Sequence, residues 1–226
     1  MSLRPLRLWL PHTAAIDCLG GRPHGRLGRG SRPTAPALPQ PPSRNAAGPW
    51  WTHAVTWTDL LARAPLPTVV SFFAVLIKDL PLYSYDYDSD YPAEGRALKD
   101  AIASADALLF VTPEYNRSIP GALKNAIDWA SRPWGSNSFA HKPSAVIGAS
   151  PGALGTALAQ QSLRGVLGFC DSPQMNASEA YVRFKTDVFT SDGEVVDEHT
   201  ERFLRDFIEE FRDHVVRVLT VLPRKP

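Results

Sequence analysis

Residues 107–133 read ALLFVTPEYNRSIPGALKNAIDWASRP, and this stretch decides the fold. Ala107 to Val111 is a short, wholly apolar run of the kind that a parallel strand covered on both faces requires. The loop TPEYNRSIPG follows it directly. A helix comes next, predicted by the spacing of Ala122, Leu123, Ala126, Ile127 and Trp129, with Pro120 and Gly121 just before its first turn, where proline is preorganised.

The same unit recurs on both sides. Upstream, TVVSFFAVLI (68–77) is a β-branched and aromatic run stopped by Lys78 and the turn-like Asp79-Leu80-Pro81, which reads as a buried strand. After the polar loop SYDYDSDYP, residues 94–104 place Leu98, Ala101 and Ile102 on one helical face. Downstream come the strand SAVIG (144–148), the loop ASPGALG, a helix from Thr156 to Phe169 and a last strand in SEAYVRF. A final helix starts near Glu198 and carries Leu204, Phe207, Ile208, Phe211, Val215 and Leu219 at helical spacing. Repeated strand, loop and helix predict an α/β fold with a parallel sheet. Ligands of such sheets bind outside the carboxyl ends of the strands, so TPEYNRSIPG and ASPGALG are expected to converge on one ligand.

Composition narrows the partners. Lys and Arg number 24 against 23 Asp and Glu, a net charge of +1, so no global field recruits nucleic acid or an anionic membrane. The longest apolar stretch, residues 64–77, is 14 long and holds Pro65 and Pro67, short of the roughly 20 residues that span a bilayer. The two cysteines, Cys18 and Cys170, form no CxxC or Cys/His cluster, and a reducing, cytoplasmic setting is the expectation.

The charges are unevenly placed. Residues 1–76 hold eight Arg, two Asp and no Lys or Glu, together with 11 of the 21 prolines and four of the six tryptophans. Upstream of residue 68 neither helical nor strand periodicity is read. The expected division is an irregular Pro/Arg/Gly-rich segment over 1–67 and an α/β domain over 68–226. Three origins compete for the segment: a disordered extension, a transit peptide, or GC-rich coding DNA translated out of frame.

In the first loop, Pro113, Glu114, Tyr115 and Asn116 sit on backbone stiffened by two prolines. Their amides and carbonyls would hydrogen-bond the edge of a flat heterocycle, with Tyr115 packed beside it. Glu114 has no paired carboxylate or histidine nearby in sequence, so positioning is expected of it before acid/base work. The second loop, Gly148-Ala149-Ser150-Pro151-Gly152, matches the G-x-S-x-G elbow of serine hydrolases, and Asp187 or Asp192 and His199 or His214 follow in the required order. Pro151 speaks against that reading, because the oxyanion hole uses the N–H of the residue after the nucleophile and proline has none. Ser150, Pro151 and Gly152 fit a ligand-lining turn better. Asp86, Asp88 and Asp90 imitate a calcium loop, but Tyr91 stands where glycine is needed and Ala97 where glutamate belongs, so no metal site is expected.

The segment FVTPEYNRSIPGALKNAIDWASRP, residues 110–133, resembles the signature of the NADPH-dependent FMN reductases, which include quinone, chromate and azo-dye reductases. The likeness runs from about Ile77 through KDLPLYSYDYD, SPGALGT and DSPQ to the final helix. It implies a flavodoxin-like three-layer sandwich, FMN at the edge of a five-stranded parallel sheet, and a homodimer or homotetramer. Pro113, Glu114, Tyr115 and Asn116 would hold the isoalloxazine, Ser150, Pro151 and Gly152 would close its pyrimidine side, and the helix bearing Lys124, Asn125 and Asp128 would lie near a subunit contact. Hydride would pass from NADPH to FMN and electrons onward to a small-molecule acceptor. The cofactor carries that chemistry, so no catalytic side chain is named. The rival readings are a hydrolase using Ser150 and a flavodoxin-like module without cofactor.

The family opens with a strand and a phosphate loop, G-S-x-R-x-x-S-x-N, entering the first helix. Neither is recognised in residues 1–76. Gly30-Ser31-Arg32 is a three-residue echo followed by Pro33, Pro36 and Pro39. A sheet without its central strand and a flavin without its phosphate nest are therefore expected. Each lost charge-assisted hydrogen bond is worth about 1.5–3 kcal/mol, so the chain as written should bind FMN several powers of ten more weakly than one with the loop. Flavin fluorescence titration measures this, and nanomolar binding would contradict it. The other two reading frames of the coding DNA upstream of Ile77 should contain the missing motif.

Overall fold

Short apolar runs separated by amphipathic segments can bury their backbone polar groups only by pairing side by side beneath covering helices. The computed structural model describes residues 6–11, 70–75, 77, 79–185, 187–189 and 195–222. Among them, five strands form one parallel sheet: β1 (Leu6–Pro11), β2 (Val70–Val75), β3 (Ala107–Val111), β4 (Ser144–Ser150) and β5 (Ala180–Arg183), in the order β2-β1-β3-β4-β5. The helices are α1 (Ala93–Ser104), α2 (Gly121–Ser131), α3 (Ala157–Phe169) and α4 (Glu198–Val221). This is the expected flavodoxin-like α/β architecture.

All five residues of β3 are buried because both faces are covered. Leu108 and Phe110 join Leu98 and Ile102 of α1, Leu123, Ile127 and Trp129 of α2, and Leu163 and Leu167 of α3. Ala107, Leu109 and Val111 face the other layer, where α4 presents Leu204, Phe207, Ile208, Phe211 and Val215 along one stripe. Asp197 starts α4, its carboxylate accepting from the Thr200 amide at 2.8 Å and hydroxyl at 2.7 Å. Those bonds hold the Asp197 carboxyl below its usual range.

Two lysines satisfy helix ends that the sequence leaves uncapped. The Lys99 ammonium donates to the Ala130 carbonyl at 3.1 Å and the Arg132 carbonyl at 2.6 Å, at the end of α2. Lys142 does the same for α1 through Ile102 at 2.8 Å and Ala105 at 2.7 Å. Orphan carbonyls and the negative end of the helix dipole both favour a cation there.

The expectation of a sheet lacking its central strand is overturned. LRLWLP, residues 6–11, is that strand, pairing with β2 from Leu6↔Val70 to Pro11↔Val75 and with β3 through Leu8↔Ala107 and Trp9↔Leu108. The sequence signal is misleading because Arg7 interrupts the continuous apolar run expected of a central strand, and Pro11 looks like a breaker. At the strand's last residue proline forfeits only one ladder donor. The expected irregular character of residues 12–67 and the position of any phosphate loop lie outside the described residues.

The loop after β2 is fixed to α2. The Asn125 side-chain amide donates to the Pro81 carbonyl at 2.9 Å and its oxygen accepts from the Tyr83 amide at 2.9 Å, while the Trp129 indole N–H reaches the same Pro81 carbonyl at 2.7 Å. Tyr83 and Tyr91 meet the Trp129 ring edge-on with centroids 5.1 and 4.9 Å away. The Tyr91 hydroxyl donates to the Trp129 carbonyl, and the Tyr83 hydroxyl donates to Asp88 at 2.8 Å. Asp88 is thus spent inside the loop, and Asp86 closes a turn with Ser84.

This cluster makes the fold alkali-sensitive. Burial, and then the Asp88 carboxylate, push the Tyr83 hydroxyl from 10.0 up to about 12, and burial moves Tyr91 in the same direction. A tyrosine whose folded value exceeds its unfolded one contributes stability that is full below pH 10 and is lost as pH climbs toward 12. Thermal unfolding at pH 9 and pH 11 should show a smaller drop for Tyr83→Phe than for the wild type. Equal drops would remove Tyr83 from the cause.

Candidate functional site

The sheet order reverses between β1 and β3, and the crevice outside their carboxyl ends is where a ligand of such a fold sits. The loop after β3 forms one wall, with the loop after β4 beside it because Leu108↔Ser144 through Val111↔Ile147 pair in parallel register. The segment that follows β1 lies outside the described residues.

The first loop is a rigid hook. Tyr115 and Ser118 exchange both backbone hydrogen bonds, at 2.9 and 3.0 Å, across Asn116 (φ 51°) and Arg117 (φ 66°). Two positive φ values in a two-residue turn define type I′, in which asparagine is favoured first and glycine second. Arginine in the left-handed region costs about 1–2 kcal/mol, so the surroundings must hold it. Glu114 contributes, its Oε1 accepting from Arg117 Nη1 at 3.4 Å. Its Oε2 accepts from the amides of Leu158 and Ala159 at 3.1 and 3.2 Å, in the first turn of α3. The Ser118 and Ser162 hydroxyls are hydrogen-bonded at 3.2 Å.

The second loop is tight at its root and open at its tip. The Ser150 hydroxyl accepts from the Gly152 amide at 3.1 Å, and the Phe184 amide donates to the Ser150 carbonyl at 2.9 Å. Ser150 is half-buried, whereas Pro151, Gly152, Ala153 and Leu154 are exposed. Gly155 turns the chain at φ +57°, its α-carbon so near the Tyr181 backbone that a Cβ would stand 2.9 Å from it.

The predicted site residues are thereby placed on adjacent loops. Pro113 and Tyr115 are half-buried, Asn116 is exposed, and Ser150, Pro151 and Gly152 lie on the neighbouring loop. A flat ring with a hydrogen-bonding edge fits this set: a stiff backbone beside Tyr115 on one side and an exposed Pro-Gly lip on the other. The hydrolase constellation does not assemble among the described residues. The His214 ring bonds the Pro173 carbonyl at 3.1 Å, His141 pairs with Asp171 at 3.3 Å, and His199 is exposed on the first turn of α4. Asp192 lies outside the described residues.

Two contacts that build the site are not read from the sequence: the bond from Glu114 to α3 and the close approach at Gly148. The link from Glu114 to α3 spans 44 residues, and no local pattern announces it. Asn116, predicted as a site residue, also fits its turn, since Asn is favoured first in type I′. A Cβ at Gly148 would lie 2.1 Å from the Thr112 carbonyl oxygen and 2.4 Å from Thr156 Oγ1. Glycine alone lets β4 approach the root of the first loop so closely. Gly148→Ala should cost at least about 1–3 kcal/mol of stability by overpacking, read as a lowered melting temperature. A change within about 0.5 kcal/mol would mean that the approach is looser than described.

Comparison with known proteins agrees with this geometry. The family model of the NADPH-dependent FMN reductases matches residues 55–187, beginning upstream of the Ile77 boundary read from the signature. A 2-hydroxy-1,4-benzoquinone reductase from Burkholderia sp. is 52% identical over 145 residues, covering 64% of this chain and 79% of that relative. A quinone reductase from Pseudomonas putida is 43% identical over 150 residues, 66% of this chain and 80% of its own. The solved structure of FerB, a flavoenzyme NAD(P)H:(acceptor) oxidoreductase from Paracoccus denitrificans, superposes with a TM-score of 0.71 at 34% identity, covering 94% of this chain and 98% of that one. With two loops at the switch point, the sheet order and these matches in agreement, the chain belongs to the NADPH-dependent FMN reductase family, NAD(P)H-dependent oxidoreductases that work through FMN.

Proposed function

We propose that this chain reduces quinones and similar small acceptors, chromate and azo compounds included, with electrons taken from NADPH through FMN. The carrying observation is the pair of rigid loops, 113–116 and 150–152, side by side at the carboxyl ends of β3 and β4. The relatives named as quinone reductases support the acceptor class. FMN supplies hydride acceptance and onward electron transfer when bound. Pro113, Glu114 through its backbone, Tyr115 and Asn116 would hold and orient the ring, Ser150, Pro151 and Gly152 would close its pyrimidine side, and the exposed lip would admit a flat acceptor.

The protein works in the cytoplasm as a homodimer or homotetramer in this reading. Its two cysteines support a reducing compartment, with Cys170 buried and free. No helix among the described residues is long and apolar enough to cross a membrane. A groove of about 1210 Å³ runs between α2 and α3, flanked by Trp134 and Phe169, which are 77% and 79% exposed. It carries both charge signs, with Lys124, Asp128, Arg132 and Asp171 along it, as a self-complementary two-fold contact needs.

Purified protein titrated with FMN should perturb the flavin absorbance spectrum, oxidise NADPH faster with a quinone than without one, and elute above the mass of one chain. Protein that leaves the flavin spectrum unchanged and is inactive would support the cofactor-less module. Ester turnover abolished by Ser150→Ala would support the hydrolase.

A further inference from the structure

Glu114 belongs to the loop that grips the ring, yet its carboxylate points into the protein. The side chain is 9% exposed, and both oxygens have partners. Oε2 takes the amides of Leu158 and Ala159, two of the donors that a helix N-terminus leaves without intrahelical acceptors. Thr156, at the N-cap of α3, makes no side-chain cap, and its hydroxyl accepts from Gln160 Nε2 at 2.9 Å instead. The carboxylate arriving from the other loop does the capping instead, where the helix dipole favours a negative charge. Oε1 meanwhile holds Arg117, the second left-handed residue of the hook.

We propose that the Glu114 side chain is a positioning group whose carboxylate does not touch the flavin: by capping α3 from the loop after β3, it sets the spacing between the two loops that hold the ring. The inference rests on the flavin reading given above. The Tyr115–Asn116 hook and the Ser150–Gly152 lip are each anchored to their own strand, and α3 follows the lip directly. A bond from Glu114 to the first turn of α3 therefore closes a rigid triangle of strand ends, hook and lip. Loss of the carboxylate leaves the Ser118–Ser162 hydroxyl contact as the remaining side-chain bond between hook and helix among the described residues.

The test uses the full chain and lumiflavin, the ring without its phosphate arm, so that the phosphate site does not enter. Glu114→Ala should raise amide exchange at Leu158 and Ala159 about tenfold or more without any flavin present. It should also weaken lumiflavin binding about tenfold, as expected for a lost charge-assisted bond, and alter the induced circular dichroism of the bound ring. Glu114→Gln keeps an acceptor of the same length and should recover binding to within a few-fold. Glu114→Asp, one methylene short, should behave as the alanine variant does, and it carries the comparison if the alanine variant fails to fold. Faster exchange with unchanged lumiflavin affinity and dichroism would overturn the positioning role, and unchanged exchange would overturn the cap. A wild-type chain that does not bind lumiflavin would refute the flavin reading and the positioning role with it, while the exchange arm still reports the cap.

Discussion

The parallel pairing of β3 with β4 is the constraint on which the rest depends. Leu108 to Val111 run alongside Ser144 to Ile147, buried from both faces by helices on one side and α4 on the other. A strand buried on both faces must be apolar throughout and must leave the sheet at its end, so its polar and strained residues collect in the loop beyond it. Parallel register then puts two such loops at the same end. The close approach at Gly148 and the Glu114 bond to α3 hold them there.

Most of this order was legible because it is local. ALLFV, SAVIG and the final helix announce themselves by apolar runs and helical spacing, and their observed bounds, 107–111, 144–150 and 198–221, fall within two residues of those the patterns mark. The central strand was missed because its pattern is ambiguous in isolation. LRLWLP becomes a strand only when β2 and β3 offer ladders on either side. The site divides in the same way. Pro113, Tyr115 and Ser150 stood out by motif, whereas Asn125 clamping Pro81 and Glu114 capping α3 join residues 44 apart, which only the fold brings together.

The chemistry of the family explains why the site is poor in catalytic side chains. A bound flavin carries the reactive atoms, and what the protein contributes is orientation, polarity and access. Prolines at 113, 120 and 151 remove backbone freedom, the type I′ hook fixes the Tyr115 backbone, and Glu114 and Arg117 are tied to each other. The same economy leaves the acceptor weakly encoded. A substrate stacked on an open ring face needs few dedicated contacts, consistent with a family that includes quinone, chromate and azo-dye reductases.

The central claim is that one flat ring sits between the two loops. A crystal structure of the chain with bound lumiflavin or FMN tests it most directly. The account predicts the ring at the β1/β3 switch point, with its hydrogen-bonding edge against residues 113–116 and 150–152 and Glu114 still on the amides of Leu158 and Ala159. A ring bound elsewhere, or one touched by the Glu114 carboxylate, would contradict it.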